Sequence, residues 1–296
     1  MNIRTLLEKY SSGELSIDEV QRQISIDSIE LVGNNFAQLD IDREIRKEVP
    51  EVVFAKGKEY KDILRIVLAS ISRNKQVVVS KIQVGHIQKL CNILRKKNLG
   101  IEIGKKSTTI LVTDISSSKR ISRVGVGKIG ILAAGTSDIG IAEEARLVAK
   151  AMGCETILSY DVGIAGIHRV FPAVKEMMSD KVSAIVVVAG MEGALASVVS
   201  SMVNIPVIGV PTSVGYGFGS DGVAALASML QTCTFGLAVV NIDNGIGGGA
   251  FAALIATQRA RSIVNYPAGN KYTIRPKETE SDAGYGKRRN KMLKRL

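Results

Sequence analysis

The run Ala133-Ala134-Gly135-Thr136-Ser137-Asp138 follows the apolar stretch Lys128–Leu132 and precedes Ile141–Ala149. The order is strand, small polar turn, helix. Such a turn aims backbone N–H groups and hydroxyls at whatever lies above the sheet, where the helix N-terminus favours an anion. About a hundred residues on, Thr232-Cys233-Thr234-Phe235-Gly236 places a thiol just before another strand-like run. A phosphate cradle combined with a thiol suggests nucleotide chemistry that uses a nucleophile. Glu192, in Gly190-Met191-Glu192-Gly193-Ala194, opens a small-residue helix as either a cap or a base, and the residues alone do not separate the two.

Three further turns carry polar groups. One holds Asp161, Gly166, His168 and Arg169; the next Thr212, Ser213 and Tyr216; the last Asp243 and Asn244. Arginine suits phosphate because its planar fork gives paired, charge-assisted bonds. Each feature also has a plain structural explanation. Thr136-Ser137-Asp138 serves as a helix N-cap with or without a ligand, His168-Arg169 as a surface pair in a first helical turn, and cysteine as a small buried hydrophobe. The last explanation is adopted for Cys91 and Cys154. Five glycine-bearing turns in register point to a ligand more strongly than any one of them. Two glycine patterns do not count. Gly125-Val126-Gly127-Lys128-Ile129-Gly130 precedes a strand, so it fails the context of a dinucleotide fingerprint. Gly245–Gly249 lacks the Lys-Ser/Thr of a P-loop. Both read as turn entry or close approach of chains.

The elements that hold these turns are short apolar strands at Gly130–Leu132, Thr156–Tyr160, Ala184–Val188, Val207–Val210 and Leu237–Asn241, with helices over 139–151, 167–179, 192–202 and 221–233. Uninterrupted apolar strands are expected where both faces of a parallel sheet are buried. Alternation of strand and helix predicts an α/β, doubly wound, three-layer parallel sheet with its ligand at the carboxyl ends of the strands. A small α+β domain precedes it. Its expected elements are a capping box at Ser16 and Glu19, a charged segment Leu39–Arg46, a strand at Val52–Ala55, a helix over Glu59–Ser70, a strand at Val77–Val79, a helix over His86–Lys97, and strands at Ile101–Ile103 and Thr109–Val112. The polar stretch Asp114–Arg120 reads as the linker. The expected division is 1–122, 123–264 and a basic, flexible tail over 265–296.

Composition narrows the classes. The chain has 296 residues, no tryptophan and 29 glycines, a texture suited to tightly packed α/β layers and close subunit contacts. Neither a membrane span nor a signal peptide is evident, so a cytoplasmic protein is expected. Three cysteines without CxxC spacing and two histidines argue against a disulfide framework or a zinc site. The net charge of +11 is uneven: residues 1–127 hold 22 basic against 15 acidic side chains, residues 128–260 hold 7 against 10, and residues 261–296 hold 10 against 3. The strand-end region is thus the acidic part, which argues against nucleic acid as the partner.

Residues 128–260 resemble the PurE family of aminoimidazole ribonucleotide carboxylases and mutases. The likeness rests on Gly135-Thr136-Ser137-Asp138, on Ile167-His168-Arg169-Val170-Phe171-Pro172, and on Asn241 to Ile255, which corresponds to that family's last strand and following helix. That family's catalytic histidine is replaced by Ala194, so purine chemistry lacks its proton carrier. The departures resemble a sister family, the nickel-pincer nucleotide biosynthesis carboxylases (LarB). This resemblance rests on Leu39–Arg43, Pro50–Phe54, Asp161–Arg169, Gly190–Ala194, Thr212–Gly217, Cys233 and Val240–Gly245. It implies carboxylation of nicotinic acid adenine dinucleotide at position 5 of the pyridinium ring, with carbon dioxide or bicarbonate used directly. Phosphoanhydride cleavage then releases AMP and a biscarboxylic acid mononucleotide. It also implies Cys233 as nucleophile, Glu192 as base, and a homo-octamer. No organic cofactor is implied, and a magnesium ion is consistent with the hydrolytic half. The alternative activity is that of a purine-pathway carboxylase or mutase.

Overall fold

The computed structural model describes residues 3–17, 19–20, 23, 29–32, 36–40, 43–116 and 127–265. The tail expected over 265–296 lies, from residue 266 on, outside the described residues, as does most of the expected linker. Near the N-terminus, α1 (Ile3–Ser11) is followed by the capping box: the Ser16 N–H donates to the Glu19 carboxylate at 2.8 Å and the Glu19 N–H donates back to the Ser16 hydroxyl at 3.3 Å. An antiparallel pair follows, β1 (Ile29–Val32) and β2 (Ala37–Asp40), where the sequence reading had a charged segment from Leu39. Leu39 is buried in that strand, while Arg43–Arg46 of the expected charged segment fall in the next helix.

A four-stranded sheet comes next. After α2 (Arg43–Lys47) it is built from β3 (Val52–Phe54), α3 (Tyr60–Asn74), β4 (Gln76–Ser80), α4 (Val84–Lys96), β5 (Leu99–Ile103) and β6 (Ile110–Asp114), with strand order β3-β4-β6-β5. Ile63, Val67, Leu90 and Leu94 pack from the helices onto Val77, Val79, Ile110 and Val112. The period of 3.6 on the helices and of 2 on the strands builds this core.

The second sheet is parallel throughout: β7 (Lys128–Ala133), β8 (Glu155–Tyr160), β9 (Ala184–Ala189), β10 (Val207–Pro211) and β11 (Leu237–Val239), in the order β11-β10-β9-β7-β8. All six residues of β9 are buried, which is why its sequence does not alternate. The helices are α5 (Ile139–Ala151), α6 (Val170–Ser179), α7 (Ala194–Met202), α8 (Val223–Leu230) and α9 (Gly245–Asn265). α5 and α9 cover one face, and α6, α7 and α8 the other. Gly249 lets α9 lie against α5, since a Cβ there would come within 2.4 Å of the Ala145 carbonyl oxygen. The direction of winding reverses between β7 and β9, so the crevice opens beyond their carboxyl ends.

The N-terminal sheet docks on α5. Val78 and Leu111 pack against Leu147 and Ala151, and the Gln76 side-chain amide donates to the Ala151 carbonyl at 2.8 Å. Arg146 joins the two parts, meeting Glu143 at 2.8 Å and Glu102 at 2.6 Å. Glu143 also accepts from the Tyr160 hydroxyl and, at 3.0 Å, from the Lys105 N–H. Burial pushes the Glu143 carboxyl up, but the bonds from Arg146, Tyr160 and Lys105 outweigh it and leave it below the usual carboxylate range. Replacing Arg146 with leucine strands a buried carboxylate, and we expect a loss of about 3 kcal/mol in urea unfolding at pH 7. A depressed carboxyl contributes stability above its unfolded value of about 4.3 and loses that contribution as pH falls through its folded value. The penalty of Arg146→Leu is therefore expected to shrink at pH 3, and an unchanged penalty there would contradict the assignment.

Candidate functional site

Four of the five expected turns meet at the carboxyl edge of the parallel sheet. Asp138, the residue before α5, is 3% exposed. Its Oδ2 accepts from the Gly135 N–H at 2.8 Å, closing the turn on itself. Its Oδ1 accepts from the Thr212 hydroxyl at 2.6 Å, joining that turn to the one after β10. Burial raises the Asp138 carboxyl above its ordinary value, and the bonds from Thr212 and Gly135 offset this in part. The turn after β9 closes on the turn after β10, with the Met191 N–H donating to the Val214 carbonyl at 2.9 Å. This requires glycine at 190, where a Cβ would stand 2.2 Å from the Val214 oxygen. The turn after β11 is fastened to the same place: Asp243 accepts from the Ser213 N–H at 2.9 Å and from its hydroxyl at 2.7 Å. Asn244 caps α9 by accepting from the Gly247 N–H at 2.8 Å.

The turn after β8 lies on the outer side of the crevice. Arg169 donates to Asp161 at 2.8 Å and to the Gly166 carbonyl at 3.4 Å, while His168 is exposed. Thr136, Ser137, Met191, Glu192, Ser213 and Tyr216 present exposed side chains on this rim. Asp138 and Thr212 therefore fasten the two turns together, and the Thr136 and Ser137 side chains remain exposed.

Cys233 is placed elsewhere. The helix expected over 221–233 ends at Leu230. Beyond it the Thr234 N–H donates to the Thr232 hydroxyl at 3.3 Å, a local side-chain turn that competes with helix. The Ser200 hydroxyl, near the end of α7, then fixes Thr234 at 2.8 Å. Cys233 is exposed in this loop, which leads into the amino end of β11. It thus lies at the opposite edge of the sheet from Glu192. From Ala194, two residues after Glu192, to Ser200 the chain climbs most of α7, about 9 Å at 1.5 Å per residue.

Sequence reasoning passed over the residues that the N-terminal sheet sets against α5. The β5–β6 turn sets Lys105 and Lys106 against the start of α5, and Lys81 meets Glu144 at 3.0 Å. The signal was available in Gly104-Lys105-Lys106-Ser107, a turn sequence between two strand-like runs. Among the described residues no group of three or more His, Cys, Asp or Glu side chains is placed to hold a metal ion. Asp138, the carboxylate of the turn before α5, accepts a hydrogen bond on each of its oxygens. No helix among the described residues is long and apolar enough to cross a membrane.

Strand-end turns fastened over the winding reversal of a parallel sheet define a doubly wound α/β protein of the type that binds anionic ligands at that edge. Comparison with known proteins narrows the class. Residues 128–267 match the family model "AIR carboxylase", and residues 30–113 match "LarB/PurE-like N-terminal domain". The uncharacterized protein MJ0165 of Methanocaldococcus jannaschii is 48% identical over 258 residues, 86% of this chain and 97% of that protein. The N5-carboxyaminoimidazole ribonucleotide mutase of the same organism is 33% identical over 131 residues, 44% of this chain and 76% of that protein. A crystal structure of a single-substitution variant of Treponema denticola PurE2 aligns with a TM-score of 0.35 at 20% identity, over 47% of this chain and 95% of that one. The chain belongs to the PurE-like AIR carboxylase family, a family of carboxylase and mutase enzymes, and carries a LarB/PurE-like N-terminal domain ahead of its AIR carboxylase domain.

Proposed function

We propose that this protein carboxylates the pyridinium ring of nicotinic acid adenine dinucleotide at position 5 and then cleaves the phosphoanhydride, releasing AMP and the pyridinium biscarboxylic acid mononucleotide. The observation that carries this reading is the pairing of an AIR carboxylase-type crevice with Ala194 where a proton-carrying histidine is needed for purine chemistry, in a chain that offers an exposed thiol, Cys233, and an exposed carboxylate, Glu192.

The chemistry needs both groups. A pyridinium ring is electron-poor and does not attack carbon dioxide. Addition of the Cys233 thiolate forms a carbon–sulfur bond at position 4 and leaves an enamine across the ring nitrogen, position 6 and position 5. Position 5 then takes up carbon dioxide. Glu192 removes the proton from position 5, and departure of the thiolate restores the aromatic ring. The net change replaces a ring hydrogen by carboxylate and releases one proton, with no oxidation or reduction. Thiolate serves as nucleophile and leaving group, carboxylate as general base. Thr136 and Ser137 supply hydroxyls to the phosphates, with Arg169, His168, Tyr216 and Asn244 around them. Water completes the hydrolysis.

Positions 4 and 5 are bonded neighbours, whereas Cys233 and Glu192 of one chain occupy opposite edges of the sheet. The reading therefore requires the thiol of one copy to meet the crevice of another. Along α8 and its flanks run Tyr216, Phe218, Val223, Leu230 and Phe235, all exposed, with Phe235 at 96%. An apolar band of this kind is covered by a partner, and this one joins the crevice edge to the Cys233 edge. A homo-octamer is the assembly we propose. The discriminating experiment incubates the protein with bicarbonate, magnesium and either nicotinic acid adenine dinucleotide or aminoimidazole ribonucleotide, and reads products by mass spectrometry. A carboxylated mononucleotide with AMP is expected; carboxylation of the aminoimidazole instead would replace this reading with the purine one.

A further inference from the structure

Among the described residues the turns of the crevice carry more carboxylates than cations. Asp138, Asp161, Glu192 and Asp243 stand at its turns, and Glu143 and Glu144 follow within two helical turns of Asp138. Arg169, the arginine of these turns among the described residues, is already committed to Asp161 at 2.8 Å. A dinucleotide brings two phosphates to this acidic edge.

The missing charge arrives from the other sheet. The turn between β5 and β6 is a closed unit: the Gly104 N–H donates to the Thr109 carbonyl at 3.0 Å and the Ser107 N–H to the Gly104 carbonyl at 3.1 Å. It is fastened to α5 at two points. The Lys105 N–H donates to Glu143 at 3.0 Å, and the Lys106 carbonyl oxygen would lie 2.6 Å from a Cβ at Gly140, two residues beyond Asp138. The Lys105 ammonium stands 5.7 Å from the centre of the Tyr160 ring. Tyr160 ends β8 and pairs in register with Ala133, the last strand residue before the phosphate turn. Both lysine side chains are exposed, and neither makes an ion pair with a carboxylate among the described residues. Two exposed ammonium groups, unpaired among the described residues, are thus held on a hydrogen-bonded turn beside the start of α5.

We infer that Lys105 and Lys106 of the N-terminal domain are substrate-binding residues: they form the cationic wall of the crevice and bind the phosphates of the nucleotide. The inference rests on the reading that the substrate is a phosphate-bearing nucleotide. It gives the N-terminal domain a direct part in binding and explains why the acidic strand-end region is accompanied by a basic domain.

The test compares wild type with Lys105→Gln/Lys106→Asn by calorimetric titration with nicotinic acid adenine dinucleotide and, separately, with aminoimidazole ribonucleotide. Asparagine is chosen because residue 106 has a left-handed backbone (φ +52°), which asparagine tolerates. The backbone bond from Lys105 to Glu143 survives both changes, and unfolding curves check it. Loss of two charge-assisted contacts is expected to weaken dinucleotide binding at least about tenfold and to flatten its dependence on salt. Lys105→Arg in the presence of Lys106 is expected to retain wild-type affinity. Equal affinity of wild type and double variant overturns the inference while leaving the proposed reaction standing. Lysine-dependent binding of aminoimidazole ribonucleotide, with none of the dinucleotide, overturns the reaction and keeps the inference. Binding of neither ligand by wild type overturns both.

Discussion

Cys233→Ala and Glu192→Gln proteins, each inactive alone, should regain activity when their subunits are mixed. Each substitution is expected to cut carboxylation by at least about a thousandfold, since one removes the proposed nucleophile and the other the proposed general base. Both side chains are exposed, so neither change disturbs the core. Complementation follows from topology. The Cys233 loop enters the amino end of β11, whereas Glu192 follows the carboxyl end of β9, with most of α7 between them. A site that uses both groups draws them from two copies. After co-refolding equal amounts, about a quarter of the sites in closed homo-oligomers would combine an intact thiol with an intact carboxylate. The assay is carboxylation rate against mixing ratio, with circular dichroism to establish that each variant is folded. Activity that stays at the single-variant level at every ratio would refute a shared site.

The second large effect is expected at Asp138. Its two oxygens hold the Gly135 N–H and the Thr212 hydroxyl, so Asp138→Ala leaves both donors without their acceptor at a buried position. We expect a loss of about 2 kcal/mol in stability and a dinucleotide affinity reduced on the order of a hundredfold, because the proposed phosphate turn and the turn after β10 are no longer fastened. Asp138→Asn retains the shape and one acceptor and should lose far less of either. Burial holds the Asp138 carboxyl above its usual range, so its ionisation opposes folding as pH rises from the unfolded value through the folded one. The asparagine variant escapes that cost, and its stability relative to wild type should improve between pH 3 and pH 7. Thr212→Val tests the partnership: combined with Asp138→Ala it should cost much less than the sum of the two. Additive losses would mean that the 2.6 Å contact does not join the turns.

Much of this site could be read from residue order. Each parallel strand is an apolar run bounded by glycine-bearing polar turns, and the turns at 135–138, 190–192, 212–216 and 243–244 lie where that pattern places them. Two glycines of the runs set aside as close-approach devices do serve that purpose: Gly130 would meet Met177, and Gly245 the Ile141 carbonyl. Cys233 was harder to place. Helix periodicity continues through Leu230 and gives no sign that the Thr232 and Thr234 hydroxyls end the helix early. Its position before a parallel strand already implied the edge away from the crevice, a consequence of topology that reading for motifs overlooks. The lysines of the β5–β6 turn were invisible for a different reason. Charge summed along the chain assigned them to the basic N-terminal block, and only the docking of that sheet on α5 sets them beside the start of that helix. The Arg146 cluster belongs to the same class, because Glu102 and Arg146 stand 44 positions apart in sequence.

The central claim is carboxylation of the pyridinium ring, and ¹³C-bicarbonate tests it most directly. Wild type and Cys233→Ala would be incubated with nicotinic acid adenine dinucleotide and labelled bicarbonate, and the released nucleotides analysed by mass spectrometry with fragmentation. The account predicts a mononucleotide carrying the label in a second ring carboxylate, together with unlabelled AMP, from wild type alone. Folded wild-type protein that leaves the dinucleotide intact, or that cleaves it without incorporating label, would contradict the account.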